Sequence, residues 1–169
     1  MERLKEALSA AGIAYKENEP LCAHCTFRIG GPADLFVLPK NEEQLCAAIR
    51  LAKEAGVRSY LLGNGSNILF EDAGYRGAVI NVSAMKSGIG VIENISFPGK
   101  DPALTYDAVV VGAGQMLSSL CMAALGNSLT GLEFAYGIPG TVGGAVYMNA
   151  GAYGGEIKDV LASVRYLTG

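Results

Sequence analysis

Ser59-Tyr60-Leu61-Leu62-Gly63-Asn64-Gly65-Ser66-Asn67 is the stretch on which the fold turns. A short strand-forming run passes directly into a loop with glycine at alternate positions. Glycine tolerates positive φ, so consecutive backbone N–H groups can point into one concavity. Ser66 and Asn67 add side-chain donors. Such a nest suits a pyrophosphate; a plain glycine-rich β-turn has the same spacing, and both readings stand at this point. Two familiar phosphate loops are excluded. No Gly-Lys-Ser/Thr follows, so this is not a P-loop. No helical pattern follows and position 68 is isoleucine, so it is not a dinucleotide fingerprint.

Working outward, residues 2–11 have the spacing of an amphipathic helix with Leu4, Ala7, Leu8 and Ala11 on one face. Residues 18–34 read as loop and 35–38 as a strand. Asn41 is a fitting N-cap for a helix over 42–55, with Leu45, Ala48, Ile49 and Ala52 turned inward and Gly56 ending it. Strands are predicted at 59–62, 68–70 and 78–81, giving a βαββ-type unit. Beyond Ser83 the pattern predicts a hairpin from 91–92 and 108–111 around the turn-rich segment Phe97 to Pro102. A helix over 116–124, a glycine-rich segment over 137–155 and an alternating strand over 161–167 follow. Two subdomains are expected, 1–83 and 84–169, the second reading as truncated after its last strand.

Composition narrows the function classes. Half of the 169 residues are apolar and 17% are charged, with a net charge of −3. Disorder is excluded, because it needs low hydrophobicity and high net charge. Basic runs are too short for a general nucleic-acid surface or a polybasic membrane patch. The charged N-terminus lacks the features of a secretory signal. Residues 134–155 carry no charge and could mimic a membrane span. Seven glycines and a proline among them argue instead for a buried loop with a short helix. Cys22-Ala23-His24-Cys25 invites a metal or redox reading, yet a structural zinc site needs a second ligand pair and none exists. Cys46 and Cys121 fall in separate helices. Reduced cytosolic thiols are the preferred reading, with no metal.

Two further glycine segments stand out. Gly112-Ala113-Gly114 precedes a helix, but its third fingerprint position is Leu117, and a tight strand-to-helix turn accounts for it. In Gly137-Ile138-Pro139-Gly140-Thr141-Val142-Gly143-Gly144-Ala145, Pro139 and Gly140 sit where a helix would begin. Thr141 offers a hydroxyl, and Gly143 and Gly144 are expected to leave the helix surface bare for a ligand. Asn149-Ala150-Gly151-Ala152-Tyr153-Gly154-Gly155 then turns the chain back. Glycine-rich surfaces with little positive charge nearby suit a long, partly aromatic cofactor such as a dinucleotide.

Thr26-Phe27-Arg28-Ile29-Gly30-Gly31-Pro32-Ala33-Asp34, the 62–67 loop, Gly131-Leu132-Glu133-Phe134, the 137–145 segment and Met148-Asn149-Ala150-Gly151-Ala152-Tyr153-Gly154 occur in that order. Each is modest alone, but the ordered set closely resembles the UDP-N-acetylenolpyruvoylglucosamine reductase family of peptidoglycan-precursor flavoenzymes. The resemblance implies an α+β fold of the p-cresol methylhydroxylase or vanillyl-alcohol-oxidase type, with two subdomains and FAD between them. It implies that Gly63, Asn64, Gly65, Ser66 and Asn67 line the FAD pyrophosphate. It also implies that Gly137, Ile138, Pro139, Gly140, Thr141, Gly143, Gly144, Asn149, Gly151, Ala152, Tyr153 and Gly154 flank the rest. NADPH is the implied hydride donor and a UDP-sugar the implied substrate, in a cytoplasmic monomer that binds neither nucleic acid nor membrane.

Family members run to about twice this length. The family's arginine lies in a Gly-Tyr-Arg-Ser-type motif further on, and its Ser or Cys proton donor and its glutamate come from a C-terminal substrate domain. No catalytic residue is therefore expected within residues 1–169. Gly74-Tyr75-Arg76 spells the tripeptide in the wrong place, and Arg76 reads as a solvated turn residue. Arg28 could face a phosphate or make a surface ion pair, Glu133 could orient the flavin region, and His24 reads as an ordinary loop residue. The alternatives are a stand-alone or remnant flavin module without activity, and the FAD domain of a small-substrate oxidase of the same fold.

Overall fold

The computed structural model describes residues 1–85, 88–95 and 105–167. The chain divides into two compact units, Met1–Lys86 and Ser87–Gly169.

The first unit is a four-stranded mixed sheet with helices on one face. Helix α1, Glu2–Ala10, buries Leu4 and Leu8, one helical turn apart. Strand β1, Ala14–Pro20, pairs antiparallel with β2, Pro32–Leu38, with Ala14 opposite Leu38. Helix α2, Glu42–Glu54, begins at Asn41, whose side chain accepts from the Gln44 N–H at 2.9 Å. It ends before Gly56, at φ +66°. Strands β3, Ser59–Leu62, and β4, Tyr75–Asn81, complete the sheet in the order β1-β2-β4-β3, the last three parallel. Central β4 is buried along Gly77 to Asn81, as a strand covered on both faces must be.

Each face has its own core. Leu35, Val37, Ala78 and Ile80 pack against Leu4, Leu8, Ala48 and Ala52 of the helices. Phe36, Val79, Leu62 and Ala33 face the other way, onto Leu21, Cys25 and Phe70. A register shift between Ala33 and Leu35 accompanies the change of face. No helix covers that second side. The 3₁₀ turn Leu21–His24 and the segment through Phe70 cover it, and they carry the candidate site.

Two sequence expectations change here. The 18–34 loop yields at both ends to β1 and β2. Polar β1 escapes hydrophobic patterning because it is an edge strand with solvated charges, the usual protection of such an edge. Residues 68–70 form no ladder. Phe70 is buried and Leu69 is exposed, so the period-2 pattern is real, but the chain leaves the 63–67 loop as irregular backbone packed on the sheet face. Arg76 is also no turn residue. It lies in β4, its Nη1 2.9 Å from Asp34 Oδ1, and its Nη2 donates to the Pro32 carbonyl at 2.7 Å, pinning β2 to β4.

In the second unit, β5, Gly90–Ile95, and β6, Tyr106–Val110, form an antiparallel hairpin. The expected turn from Phe97 to Pro102 lies outside the described residues. Helix α3, Leu117–Gly126, buries Leu117, Leu120, Cys121 and Ala124. A 3₁₀ turn, Glu133–Ala135, leads to α4, Val142–Met148. The two-residue strands β7, Gly151–Ala152, and β8, Gly155–Glu156, precede α5, Ile157–Val160, which starts with a Glu156/Asp159 capping box. Leu117, Cys121, Ala135, Val142, Ala145 and Ile157 share its core. The strand expected over 161–167 is absent: these residues are exposed and in no ladder. Alternation supplies a face, but a strand also needs a neighbour's N–H and C=O groups, and none of the described strands provides them.

The Asn41 cap gives a direct test of the first unit. Asn41→Ala is expected to lower unfolding free energy by about 1 kcal/mol, read as a shifted urea midpoint at unchanged slope. Asn41→Ser should recover most of it.

Candidate functional site

The site begins where β3 ends. Leu62 is buried beneath the sheet and delivers the chain to Gly63. Gly65 has φ +65°, and a Cβ there would lie 2.0 Å from the His24 carbonyl oxygen and 2.8 Å from the Cys25 Cα. Only glycine fits. The carbonyls of this loop are drawn back into the fold. Leu62 O accepts from Val82 N at 2.9 Å, Gly63 O from Asn81 Nδ2 at 2.8 Å, and Gly65 O from Thr26 N at 3.0 Å. The Thr26 hydroxyl reaches Ser66 O at 3.4 Å. The N–H groups of Gly63, Asn64, Gly65 and Asn67, by contrast, find no protein acceptor among the described residues. With the Gly63, Gly65 and Ser66 carbonyls engaged and four amides left over, the loop has the polarity of an anion cradle.

Sequence reasoning missed the residues that hold this cradle in shape. Asn81 is 5% exposed, at the end of β4 and in register with Leu62. Its Oδ1 accepts from the Ser83 N–H at 3.1 Å and from the Ser83 hydroxyl. A polar residue closing an otherwise apolar strand was the available signal. A cleft of about 430 Å³ opens beside the loop, walled by residues of the 23–28 segment and by Gly63, Asn64, Asn81 and Ser83. Among the described residues no carboxylate lines it. A larger hollow of about 600 Å³ at the start of α2 is lined by Asn41, Glu42, Glu43 and Cys46, and its two carboxylates make it hostile to a phosphate.

His24 is more than an ordinary loop residue. Its ring stacks on Phe36 with centroids 4.0 Å apart, and Nε2 lies 2.8 Å from Glu19 Oε1. Lys16 reaches the same carboxylate at 2.6 Å. Hydrogen bonds from Lys16 and then His24 hold the Glu19 carboxyl below the ordinary glutamate range. The 3₁₀ turn whose carbonyl meets Gly65 is thus pinned to β1. Arg28 lines the cleft at φ +55° and makes no ion pair with a described residue. All four cysteines are free thiols, and no group of three or more possible metal ligands forms among the described residues.

In the second unit the glycines divide into two kinds. The N–H groups at the start of α4 are all spent internally. Val142 N donates to Gln115 O at 2.8 Å, Gly143 N to Ala113 O at 2.9 Å, Gly144 N to Thr141 Oγ1 at 3.3 Å, and Ala145 N to Thr141 O at 2.9 Å. This helix end therefore offers a phosphate no free amide. The bare surface expected at Gly143 is also filled, since a Cβ there would come within 2.8 Å of the Ala113 Cβ. Gly112-Ala113-Gly114 is the tight turn that receives it. Gly151 packs on the Gly155 carbonyl, and Gly155 packs on Phe134. Asn149, at φ +46°, commits its whole side chain: Nδ2 donates to Glu156 Oε2 at 2.9 Å, and Oδ1 accepts from Lys158 N at 2.9 Å. Glu133 Oε2 accepts from Gly131 N at 2.8 Å and so fixes its own loop. Gly137 and Gly154 face open space, Gly144 is exposed, and Tyr153 at the tip of the β7–β8 turn is 95% exposed.

An α+β chain with an amide-lined anion cradle, free of carboxylates, and a second unit offering open glycine and tyrosine surface belongs to the nucleotide-cofactor-binding proteins. The chain is a member of the FAD binding domain family, which matches residues 33–169. FAD is its cofactor. It is 44% identical over 168 residues to a UDP-N-acetylenolpyruvoylglucosamine reductase of Lachnoclostridium phytofermentans, covering 99% of this chain and 51% of that protein. It is 46% identical over 170 residues to the same-named protein of Agathobacter rectalis, covering 99% and 52%. Among solved structures, UDP-N-acetylenolpyruvylglucosamine reductase from Thermus caldophilus matches with a TM-score of 0.57 at 30% identity, over 87% of this chain and 46% of that one. The chain spans about half the length of the curated relatives it matches. No helix among the described residues is long and apolar enough to cross a membrane.

The Glu19 pin has a pH signature. Because its carboxyl is depressed on folding, its stabilising contribution is complete above the ordinary value of 4.5 and drains away as pH falls through the depressed one. Glu19→Gln is expected to be less stable than the parent near neutral pH, with the gap closing in acid, in thermal melts across a pH series.

Proposed function

We propose that this chain is the FAD-holding part of a reductase that uses NADPH to reduce UDP-N-acetylenolpyruvoylglucosamine to UDP-N-acetylmuramate, in the synthesis of peptidoglycan precursors. The observation that carries the cofactor half of this reading is the set of unpartnered amides at Gly63, Asn64, Gly65 and Asn67 among the described residues, in a loop whose Gly63, Gly65 and Ser66 carbonyls are tied back. The names and identities of the relatives support the reaction.

In this reading the amides of the 63–67 loop, with the Ser66 and Asn67 side chains, hold the FAD diphosphate. Asn81 and Thr26 keep the loop's carbonyls turned away from it. Ile138, Pro139, Ala152 and Tyr153, with the open backbone of Gly137, Gly144 and Gly154, lie along the remainder of the cofactor. Gly140, Thr141, Gly143, Asn149 and Gly151 shape that surface through contacts within the chain. Bound FAD supplies a ring able to take a hydride from the nicotinamide and deliver it to the enolpyruvyl double bond, chemistry that no side chain performs. The protein acts in the cytoplasm as a monomer, without nucleic acid or membrane.

Reduction of the double bond also needs a proton donor and a cationic site for the substrate's phosphates and carboxylate. Among the described residues the cleft has only Arg28 as a permanent cation. Residues 1–169 on their own should therefore bind FAD yet form no saturated product when given NADPH and substrate anaerobically, since loss of general-acid help alone costs about 10²–10⁴ in rate. Turnover by this chain would overturn the placement of catalysis outside it. The loop is tested separately. Gly65→Ala forces a side chain into a left-handed backbone and against the His24 carbonyl, and should weaken FAD binding by about tenfold or more with little change in far-UV dichroism. A folded Gly65→Ala variant that holds FAD as the parent does would reduce the loop to a turn.

A further inference from the structure

We propose that the Arg28 guanidinium is the cationic anchor for the cofactor's diphosphate, completing a cradle that backbone amides alone leave short of charge. This rests on the reading of the 63–67 loop given above and adds a residue to it.

The backbone at Arg28 is the first observation. A non-glycine residue at φ +55° is uncommon, and such positions persist only where the surroundings enforce them. The surroundings here do. Arg28 N donates to Cys25 O at 3.3 Å, and the Cys25 thiol donates to Ile29 O at 3.3 Å. Two residues on, Gly30 lies so close to Phe70 that a Cβ would approach the Phe70 Cβ to 2.5 Å. Gly31 is pressed against the Asp72 carbonyl at 2.0 Å by the same measure. The loop is clamped at both ends and brings its arginine to the cleft that Gly63 and Asn64 also line.

Charge is the second observation. Other cations of this unit are committed elsewhere: Arg76 to Asp34, Lys16 to Glu19, and Arg58 to the Arg76 carbonyl and the face of Tyr75. Arg28 has no carboxylate partner among the described residues, and none lines the cleft. A diphosphate carries full negative charge at neutral pH, whereas amides offer only partial positive charge. A guanidinium adds a full charge and a planar fork that matches two phosphate oxygens. Fixing its backbone beforehand reduces the ordering cost of binding.

The test compares the parent chain with R28Q, R28K and G65A, titrated with FAD and with riboflavin, which lacks phosphate, at low and high salt. R28Q is expected to weaken FAD binding by about 10- to 100-fold. It should also flatten the salt dependence, with riboflavin affinity and the melting temperature without flavin unchanged. R28K should recover part of the affinity and of the salt slope. A merely structural Arg28 would instead weaken both flavins together, and that result overturns the proposal. So does an R28Q variant that binds FAD with the parent's affinity and salt slope while G65A loses it; the loop reading then survives. A G65A variant that folds and binds FAD normally overturns the loop reading, and this proposal with it.

Discussion

The first unit depends on the absence of one atom. Where Gly65 meets the His24 carbonyl there is no space for a β-carbon, so two segments that are distant in sequence lie backbone against backbone. That contact lets Thr26 N–H take the Gly65 carbonyl, while the amides of Gly63, Asn64, Gly65 and Asn67 have no acceptor among the described residues. The stacking of His24 on Phe36 and its bond to Glu19 hold the other side of the contact. The sheet beneath supplies rigidity: Leu62 and Asn81, in register at the ends of two parallel strands, bear the buried weight and the buried hydrogen bond respectively. A cradle made this way needs few side chains, because its geometry is set by which backbone groups are already engaged.

The two glycine-rich regions illustrate how the same residue serves opposite ends. In the 63–67 loop glycine frees amides. In the 137–155 region most glycines close gaps: Gly143 on Ala113, Gly151 on the Gly155 carbonyl, Gly155 on Phe134. The α4 N-terminus, which the sequence offers to a ligand, is satisfied by Thr141, Ala113 and Gln115. Sequence spacing cannot distinguish these cases, since both require a missing side chain. The distinction lies in whether neighbouring carbonyls are within reach, which is a tertiary property.

Much of the architecture was nonetheless legible. Asn41 capped its helix as its position before an acidic first turn implied, and the apolar spacing of Leu4 and Leu8 located α1. What escaped were elements without an apolar signature. Strand β1 is polar because it is an edge, and its existence depends on β2 rather than on its own composition. Residues 68–70 and 161–167 carried alternation but had no partner strand. In the site, the glycines and Asn67 were conspicuous and Thr26 stood in a motif without a role, whereas Asn81 and Ser83 did not stand out. The importance of Asn81 and Thr26 comes from register and from contacts spanning 18 and 40 residues, and Ser83 acts by bonding Asn81.

Those long spans bear on biogenesis. The cradle needs the Leu21–His24 turn, the 63–67 loop and Asn81 with Ser83 in place together. A nascent chain emerging from the ribosome cannot build it until residue 83 is free, however early the β1–β2 hairpin closes. Completion of the cradle is thus a late event in that unit's folding, set by the last segment to arrive rather than by the first strands to pair.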